Sequence, residues 1–305
     1  MKVLITGSQG FVGKYLIEEF RNVGYEVIPC GRNNAYGCVV MDISDAQQVQ
    51  DAIYTYQPDI IVNLAGQANV GLSWKQPQQT VSLNVIGLLN ILEAVREIKP
   101  QTKIIAVGSS DQYGSLGELG VNVTEETPLM PMTPYAVSKL AQENMCKAYI
   151  KAYKMNICMV RCFNIAGPGQ KKGFMISDFA SGIAEIEAGQ KEALYVGNLE
   201  SGRDFTHVKD AARAYRYIAE KGHSGEVYNI CSGRTYTARE ILERLLSMSL
   251  KPIKVEQDPA RMRPSDTPVI RGNHDKLTSH TGWKPKFEIE DILEDTLSFW
   301  RDQFK

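Results

Sequence analysis

No run of 18 apolar residues occurs anywhere in the sequence, and its opening MKVLITG offers one Lys and four apolar residues before Thr and Gly. A membrane-spanning helix and a secretory h-region are therefore not expected, and a cytoplasmic, reduced protein is. Charge of one sign is missing too. Lys plus Arg is 34 against 35 for Asp plus Glu, a net −1. That balance argues against a dedicated nucleic-acid binder and against a polybasic membrane anchor. Cysteine is scarce and unpaired in pattern: Cys30, Cys38, Cys146, Cys158, Cys162 and Cys231 form no CxxC. Cys158 and Cys162 sit inside the apolar run MNICMVRCF with no second ligand pair nearby, so buried free thiols are expected and a metal site is not. Internal repeats and low-complexity tracts are also missing.

What is present is an ordinary globular composition, 43% apolar and 23% charged over 305 residues. That length suits two domains or one large α/β unit with a core that needs no staples. The first half alternates strand-like and helical stretches. KVLIT (2–6), EVIPC (26–30), CVVMD (38–42), DIIVNLAG (59–66), KIIAVGSS (103–110) and MNICMVRCFN (155–164) read as strands. Helices are predicted over 11–24, from Asp45 to about Tyr56, from about Thr80 to Ile98, and from near Tyr135. Near-continuous apolar strands separated by helices mean a parallel sheet covered on both faces, an α/β doubly wound Rossmann fold. After Asn164 the rhythm breaks at GPGQKKG (167–173), and only Phe174–Gly189, Val208–Ala219 and Ala238–Leu250 read as helical. The expected division is a dinucleotide-binding domain over 1–165, with a returning segment near 205–230. A smaller mixed α/β substrate domain over 166–204 and 231–305 completes it.

The glycines of TGSQGFVG, Gly7, Gly10 and Gly13, follow the first strand and open the first helix. Glycine there lets backbone approach a pyrophosphate whose charge the helix N-terminus stabilises. At the end of the second strand, where NAD enzymes place an acid for the ribose hydroxyls, stands Cys30-Gly31-Arg32-Asn33. A guanidinium suits a 2′-phosphate, so NADP(H) is favoured and NAD(H) is possible. Asp42 suits either the adenine amine or the N-cap of the next helix. In Tyr135-Ala-Val-Ser-Lys139 the Tyr and Lys lie on one helix face, where the ammonium is expected to lower the phenol's pKa for acid–base work. Ser109 ends an apolar strand at the edge where such sheets bind ligands.

With these residues in place, the chain resembles the extended short-chain dehydrogenase/reductase family acting on nucleotide-linked sugars. The glycine motif, NLAG (63–66), Asn84, SSDQYG (109–114), Tyr135, Lys139, RCFNIAGPG (161–169), RDFTHVKD (203–210) and RPSD (263–266) fall in family order. Within the family it looks most like the GDP-4-keto-6-deoxy-D-mannose reductases, notably in GNLESGRDFTHVKD and ARMRPSDTPVI. The resemblance implies a Ser109/Tyr135/Lys139 triad that reduces a nucleotide-linked 4-keto-6-deoxyhexose to, in the GDP case, GDP-D-rhamnose. It implies a cofactor surface of Gly7, Gly10, Phe11, Val12, Gly13, Arg32, Asp42, Ile43, Leu64, Ala65, Gly66 and Asn84, shared with Tyr135 and Lys139. It places Ser110, Asn164 and the 167–180 region on the sugar nucleotide, with Arg203, Arg263 and Asp266 also there and the two arginines near the diphosphate. His207 and Trp283 read as packing residues. One position departs from the dehydratases of the family. They carry Glu two residues after the Ser or Thr, whereas this chain has Asp111, about 1.5 Å shorter in reach. A 4,6-dehydratase or a 4-epimerase is thus the alternative activity. The helices near 80–98 and 135–153 are apolar on more than one face, with Ala136, Leu140 and Ala148 expected toward the sheet. Val137, Met145 and Tyr149 then remain to pair with a second copy in a homodimer.

Overall fold

A computed structural model describes residues 1–119, 122–259 and 269–305. Its strands, in chain order, are β1 (Lys2–Thr6), β2 (Glu26–Gly31), β3 (Val39–Val40), β4 (Ile60–Asn63), β5 (Lys103–Val107), β6 (Asn122–Val123), β7 (Ile157–Cys162), β8 (Asn164–Ala166), β9 (Ala193–Val196), β10 (Gly202–His207), β11 (Val227–Ile230), β12 (Thr235–Thr237), β13 (Lys254–Gln257) and β14 (Val269–Gly272). The helices are α1 (Phe11–Asn22), α2 (Ala46–Tyr56), α3 (Val70–Lys75), α4 (Pro77–Val81), α5 (Gly87–Ile98), α6 (Pro134–Tyr153), α7 (Met175–Glu187), α8 (Val208–Lys221), α9 (Ala238–Ser247), α10 (Asp275–Thr281) and α11 (Ile289–Asp302).

One seven-stranded sheet, ordered β11-β7-β5-β4-β1-β2-β3 and parallel throughout, organises the molecule. The strand order reverses beside β1, and that switch point is where such sheets bind ligands. Successive strand residues serve opposite faces. Val3 and Ile5 pack with Leu16 and Phe20 of α1 and with Tyr215 and Ile218 of α8. Leu4 packs the other way, with Val49 and Ile53 of α2 and Leu88, Leu92 and Val95 of α5. Both faces are apolar because both are covered, which makes the strands read as unbroken apolar runs.

Apart from β11, the strands beyond β7 build a second group of sheets, which β6 joins from earlier in the chain. A five-stranded sheet runs β12-β10-β14-β6, with β8 on β10, and β13 pairs with β9. A third apolar cluster joins Ile176, Phe179 and Ile183 of α7, Ile241 and Leu245 of α9, and Ile292, Leu293 and Leu297 of α11. The sequence reading assigns nothing to α11. Its Ile289, Ile292, Leu293 and Leu297 at helical spacing were the available signal.

Several expectations need correction. The strand read over 38–42 is only Val39–Val40, because Asp42 turns the chain by accepting the Ser44 amide at 2.9 Å. Asp42 is therefore not the cap of α2. That role falls to Asp45, which accepts from the Gln47 and Gln48 amides. The single helix expected from Thr80 starts at Pro77 and is interrupted by a π-helical turn over Ser82–Ile86. In α6, Ala148 is exposed; the buried face carries Tyr135, Ala136, Ser138, Lys139, Gln142, Glu143 and Cys146. The six cysteines are free.

Candidate active site

The carboxyl ends of β1, β4 and β5 converge on one cleft. After β1 the chain turns at Gly7, whose φ of 64° favours glycine, and a Cβ there would lie 2.8 Å from the Ala65 amide nitrogen. A Cβ on Gly13 would meet the Ser8 Cα at 2.6 Å, so α1 packs against the turn as no larger residue allows. Gly10 is the N-cap of α1, yet no side chain caps it and the first turn holds no acid. By contrast, Asp45 caps α2 and Thr133 caps α6 with their own oxygens. The open donors of α1 fit an anion, and the glycine turn fits a dinucleotide pyrophosphate.

Around this cradle the other expected cofactor residues are distributed as follows. Phe11 and Val12 are half-buried at the start of α1, and Leu64 and Ala65 follow β4. Ile43 is buried against Gly87. Arg32 is exposed just past β2, while the Gln9 side chain covers Gly31 and hydrogen-bonds to Asn33. Asn84 sits in the π-turn, buried, accepting from the Gln67 amide at 2.8 Å and donating to the Ser138 hydroxyl at 2.8 Å. The π-turn is a frequent device at functional sites. Here it delivers Asn84 to Gly66, where a Cβ would fall 2.7 Å from the Asn84 Oδ1 and 3.7 Å from the Lys139 Nζ.

The candidate catalytic cluster lies next door. Ser109, Tyr135 and Lys139 are all buried. The Ser109 hydroxyl accepts from the Asp111 amide at 3.2 Å and is a hydrogen-bonding neighbour of Tyr135. The Lys139 ammonium donates to the Val107 carbonyl at 2.7 Å and to Gln142 Oε1 at 3.1 Å. Burial lowers its pKa to about 8. The expected depression of the phenol is not found. Burial first, then the Asp111 carboxylate, push Tyr135 above the ordinary phenol range, with Ser109 pulling weakly the other way. Burial thus keeps Tyr135 a neutral phenol, the form that donates a proton, while the Lys139 ammonium is held by Val107 and Gln142.

On the substrate side, Ser110 is buried and Asn164 is exposed, its amide reaching the Asp204 carbonyl at 3.3 Å. Arg203 is half-buried and donates to the Gly202 carbonyl at 2.8 Å. Arg263 and Asp266 lie outside the described residues. His207 is buried, caps α8 through the Lys209 amide and stacks on Phe287. Trp283 is buried and donates to the Asp210 carbonyl. Both are packing residues, as read from sequence. Sequence reasoning missed Gln112, Glu143 and Arg161, which form a buried polar group beneath Ser109 and Tyr135.

Among the described residues no helix is long and apolar enough to cross a membrane, and no cluster of His, Cys, Asp and Glu could hold a metal ion. Compared with known proteins, the chain is 33% identical to the GDP-6-deoxy-D-mannose reductase of Pseudomonas aeruginosa, over 100% of this chain and 98% of that one. Its fold matches RMD from Pseudomonas aeruginosa, solved with NADPH, at a TM-score of 0.90, with 32% identity and 99% of both chains covered. The Thermus thermophilus UDP-glucose 4-epimerase, solved with NAD, matches at 0.88, with 27% identity and 99% of both chains. Matched over residues 4–296 by the family described as GDP-mannose 4,6 dehydratase, the chain belongs to that family, within the extended short-chain dehydrogenases/reductases.

Proposed function

We propose that this protein is an NADPH-dependent reductase of GDP-4-keto-6-deoxy-D-mannose, yielding GDP-D-rhamnose. The observation that carries the reading is the end-to-end likeness to a GDP-6-deoxy-D-mannose reductase, 33% over the full chain. The site supports it. Reduction of a C4 ketone forms one C–H and one O–H bond, and the group that gives the proton must start protonated. When bound, the reduced nicotinamide supplies the hydride. Tyr135, held neutral by burial, gives its proton to the developing C4 oxygen, and the Ser109 hydroxyl orients that oxygen. Lys139 has three donors and uses two on Val107 and Gln142, leaving one beside Gly66 for the nicotinamide ribose.

The glycine turn and the open N-terminus of α1 would hold the pyrophosphate, with Arg32 at the 2′-phosphate and NAD(H) a possible substitute. Asp42 keeps one carboxylate oxygen free of Ser44 and suits the adenine amine. Asn164 and Arg203 would hold the GDP-sugar across the cleft, together with Ser110. The division into a dinucleotide lobe and a sugar-nucleotide lobe is part of this reading, as is a cytoplasmic location. So is a homodimer. Val81, Ile86, Val137 and Met145 are exposed on α4, the π-turn and α6, which pack side by side, whereas Tyr149, expected with them, packs against the core and donates to Glu93. A second copy of the same helices would cover them.

One observation favours a second reading, a 4,6-dehydratase: Asp111 stands two residues after Ser109 and acts electrostatically on Tyr135. Incubating the protein with NADPH and GDP-4-keto-6-deoxy-D-mannose, and separately with GDP-mannose alone, decides between them. NADPH consumption in the first is the expected result. Conversion of GDP-mannose to a 4-keto sugar without it overturns the reductase reading.

A further inference from the structure

We infer that Gln112 is a positioning residue: its buried side chain fixes the Ser109 loop to the helix that carries Tyr135 and Lys139, and so sets the geometry of proton delivery. The inference rests on the assignment of Ser109 and Tyr135 under the proposed function.

The problem it solves is mechanical. Ser109 lies on the connection after β5, and Tyr135 begins α6. The link is Gln112, the fourth residue of SSDQYG, whose side chain is fully buried. Its Oε1 accepts from the Ser109 amide at 2.9 Å, and its Nε2 donates to Glu143 Oε2 at 2.8 Å. Glu143 is two helical turns beyond Tyr135 and one beyond Lys139 on the same buried face of α6. A single amide therefore ties the main chain of the serine to the helix of the tyrosine.

The orientation of that amide follows from the chemistry of its neighbours. Burial alone would raise the Glu143 carboxyl, but hydrogen bonds and charge from Arg161 and Lys147 outweigh it and hold it at about 2. An ionised carboxylate only accepts, so the nitrogen of Gln112 must face Glu143 and its oxygen must face the Ser109 N–H. Arg161, on β7, anchors the carboxylate by two bonds, Nε to Oε2 at 2.9 Å and Nη2 to Oε1 at 2.8 Å. Its remaining Nη1 donates to the Tyr113 hydroxyl at 3.1 Å and the Glu125 carbonyl at 2.9 Å. Strand, loop and helix are thus locked by one chain of charge-assisted bonds in a low-dielectric site. Gly108 makes room for it. A Cβ there would lie 2.4 Å from Gln112 Oε1 and 2.6 Å from the Val160 carbonyl.

A reacting oxygen displaced by about 1 Å costs on the order of 100-fold in rate. Losing the tether therefore lowers kcat more than it weakens binding, because the cofactor cradle and the sugar loops are built elsewhere. The test uses Gln112→Met and Gln112→Glu in the NADPH assay with GDP-4-keto-6-deoxy-D-mannose. Gln112→Met removes both hydrogen bonds at similar volume, and the expected result is a kcat lower by about 30-fold with KM within about twofold.

Gln112→Glu sharpens the test. A carboxylic acid has the same donor and acceptor pair as the amide, whereas a carboxylate facing Glu143 has no proton to give. The charged and titratable groups around that point are Lys139, Glu143, Cys146 and Lys147 of α6, Arg161 of β7, and Tyr113 and Glu125 from the neighbouring loop segments; the fall that Lys139 imposes is common to wild type and variant, so the two profiles are compared as a ratio. Two carboxyls at hydrogen-bonding distance share one proton at a strongly raised pKa. Activity of Gln112→Glu is expected to be depressed about 20-fold at pH 9 and to recover to within about threefold of wild type near pH 6, an ionisation the wild type lacks. Should Gln112→Met not fold, this internal recovery carries the test alone. A pH profile of Gln112→Glu parallel to wild type, or Gln112→Met at full kcat, overturns the inference. Ser109→Ala is measured alongside. If it turns over at the wild-type rate, the underlying site assignment fails instead.

Discussion

The two halves of the cleft are built by opposite means. The cradle after β1 works by subtraction: Gly7 and Gly13 leave no side chain where one would strike Ala65 or Ser8, and the first turn of α1 is left uncapped. The face of α6 that carries the proposed catalytic residues works by accumulation. Seven of its residues are buried, and five of them, Tyr135, Ser138, Lys139, Gln142 and Glu143, are polar or charged. A site made of absent atoms is shaped by sterics, so it tolerates changes of pH and is destroyed by a methyl group. A site made of buried polar groups is shaped by hydrogen bonds, so it keeps its volume under conservative substitution and fails when a proton or a partner is lost.

That contrast is broken most forcefully at Tyr135. Tyr135→Phe keeps the shape and removes the proton, and kcat is expected to fall by about 100-fold or more while NADPH affinity, read by fluorescence titration, stays within about twofold. Gly7→Ala makes the complementary change. It adds a Cβ at a φ of 64° and 2.8 Å from the Ala65 nitrogen. Strain of about 1–3 kcal/mol is expected, seen as weaker NADPH binding and a lower Tm, with the pH profile of kcat unchanged. A normal dissociation constant would show that the cradle does not depend on a bare backbone.

The pH dependence separates the halves again. Below about 8 Lys139 is charged, and as pH rises through that value its buried ammonium loses its proton. For the free enzyme, kcat/KM is expected to fall on the alkaline side, approaching about tenfold per pH unit, while the pyrophosphate cradle contributes no ionisation. A profile flat to pH 10 would remove Lys139 from the site. Arg32→Ala, at the rim of the cradle, is a smaller change. It is expected to narrow the preference for NADPH over NADH by about tenfold, and an unchanged ratio would clear Arg32 of any role. Smallest in its effect on turnover is Val137→Glu on the outer face of α6. Light scattering is expected to shift from twice 34.0 kDa to one chain, with kcat altered about twofold at most. A wild-type mass of one chain would refute the dimer.

Sequence reading named the residues of the proposed cradle and of the proposed Ser109, Tyr135 and Lys139 triad, but not what holds those three in place. Glycine spacing is a local backbone demand, and Tyr135 and Lys139 are one helical turn apart, so both signals lie within a few residues. The lock of Gln112, Glu143 and Arg161 joins positions 31 and 18 residues apart, and no pattern in the string marks them as partners. The charge of the lysine was misread for a similar reason. Spacing put Lys139 beside Tyr135 and within reach of Gln142 one turn along the same helix, but the Val107 carbonyl that also takes one of its hydrogen bonds was visible only once β5 and α6 were packed together. Asp42 shows the same limit at short range: its side chain suited the cap of α2, but it turns the chain at Ser44 instead and the cap falls to Asp45, three residues on.

The sequence by itself determined the parallel sheet and pointed to the glycine turn as a dinucleotide cradle and to Tyr135 as the proposed proton donor, because hydrophobic period, glycine spacing and helical register are properties of neighbouring residues. The tertiary structure alone decided the burial that raises the Tyr135 phenol, the Val107 partner of Lys139 and the lock beneath Ser109. These depend on burial and on partners brought together by the fold, and electrostatic energies in a dry interior are set by distances that no stretch of sequence contains.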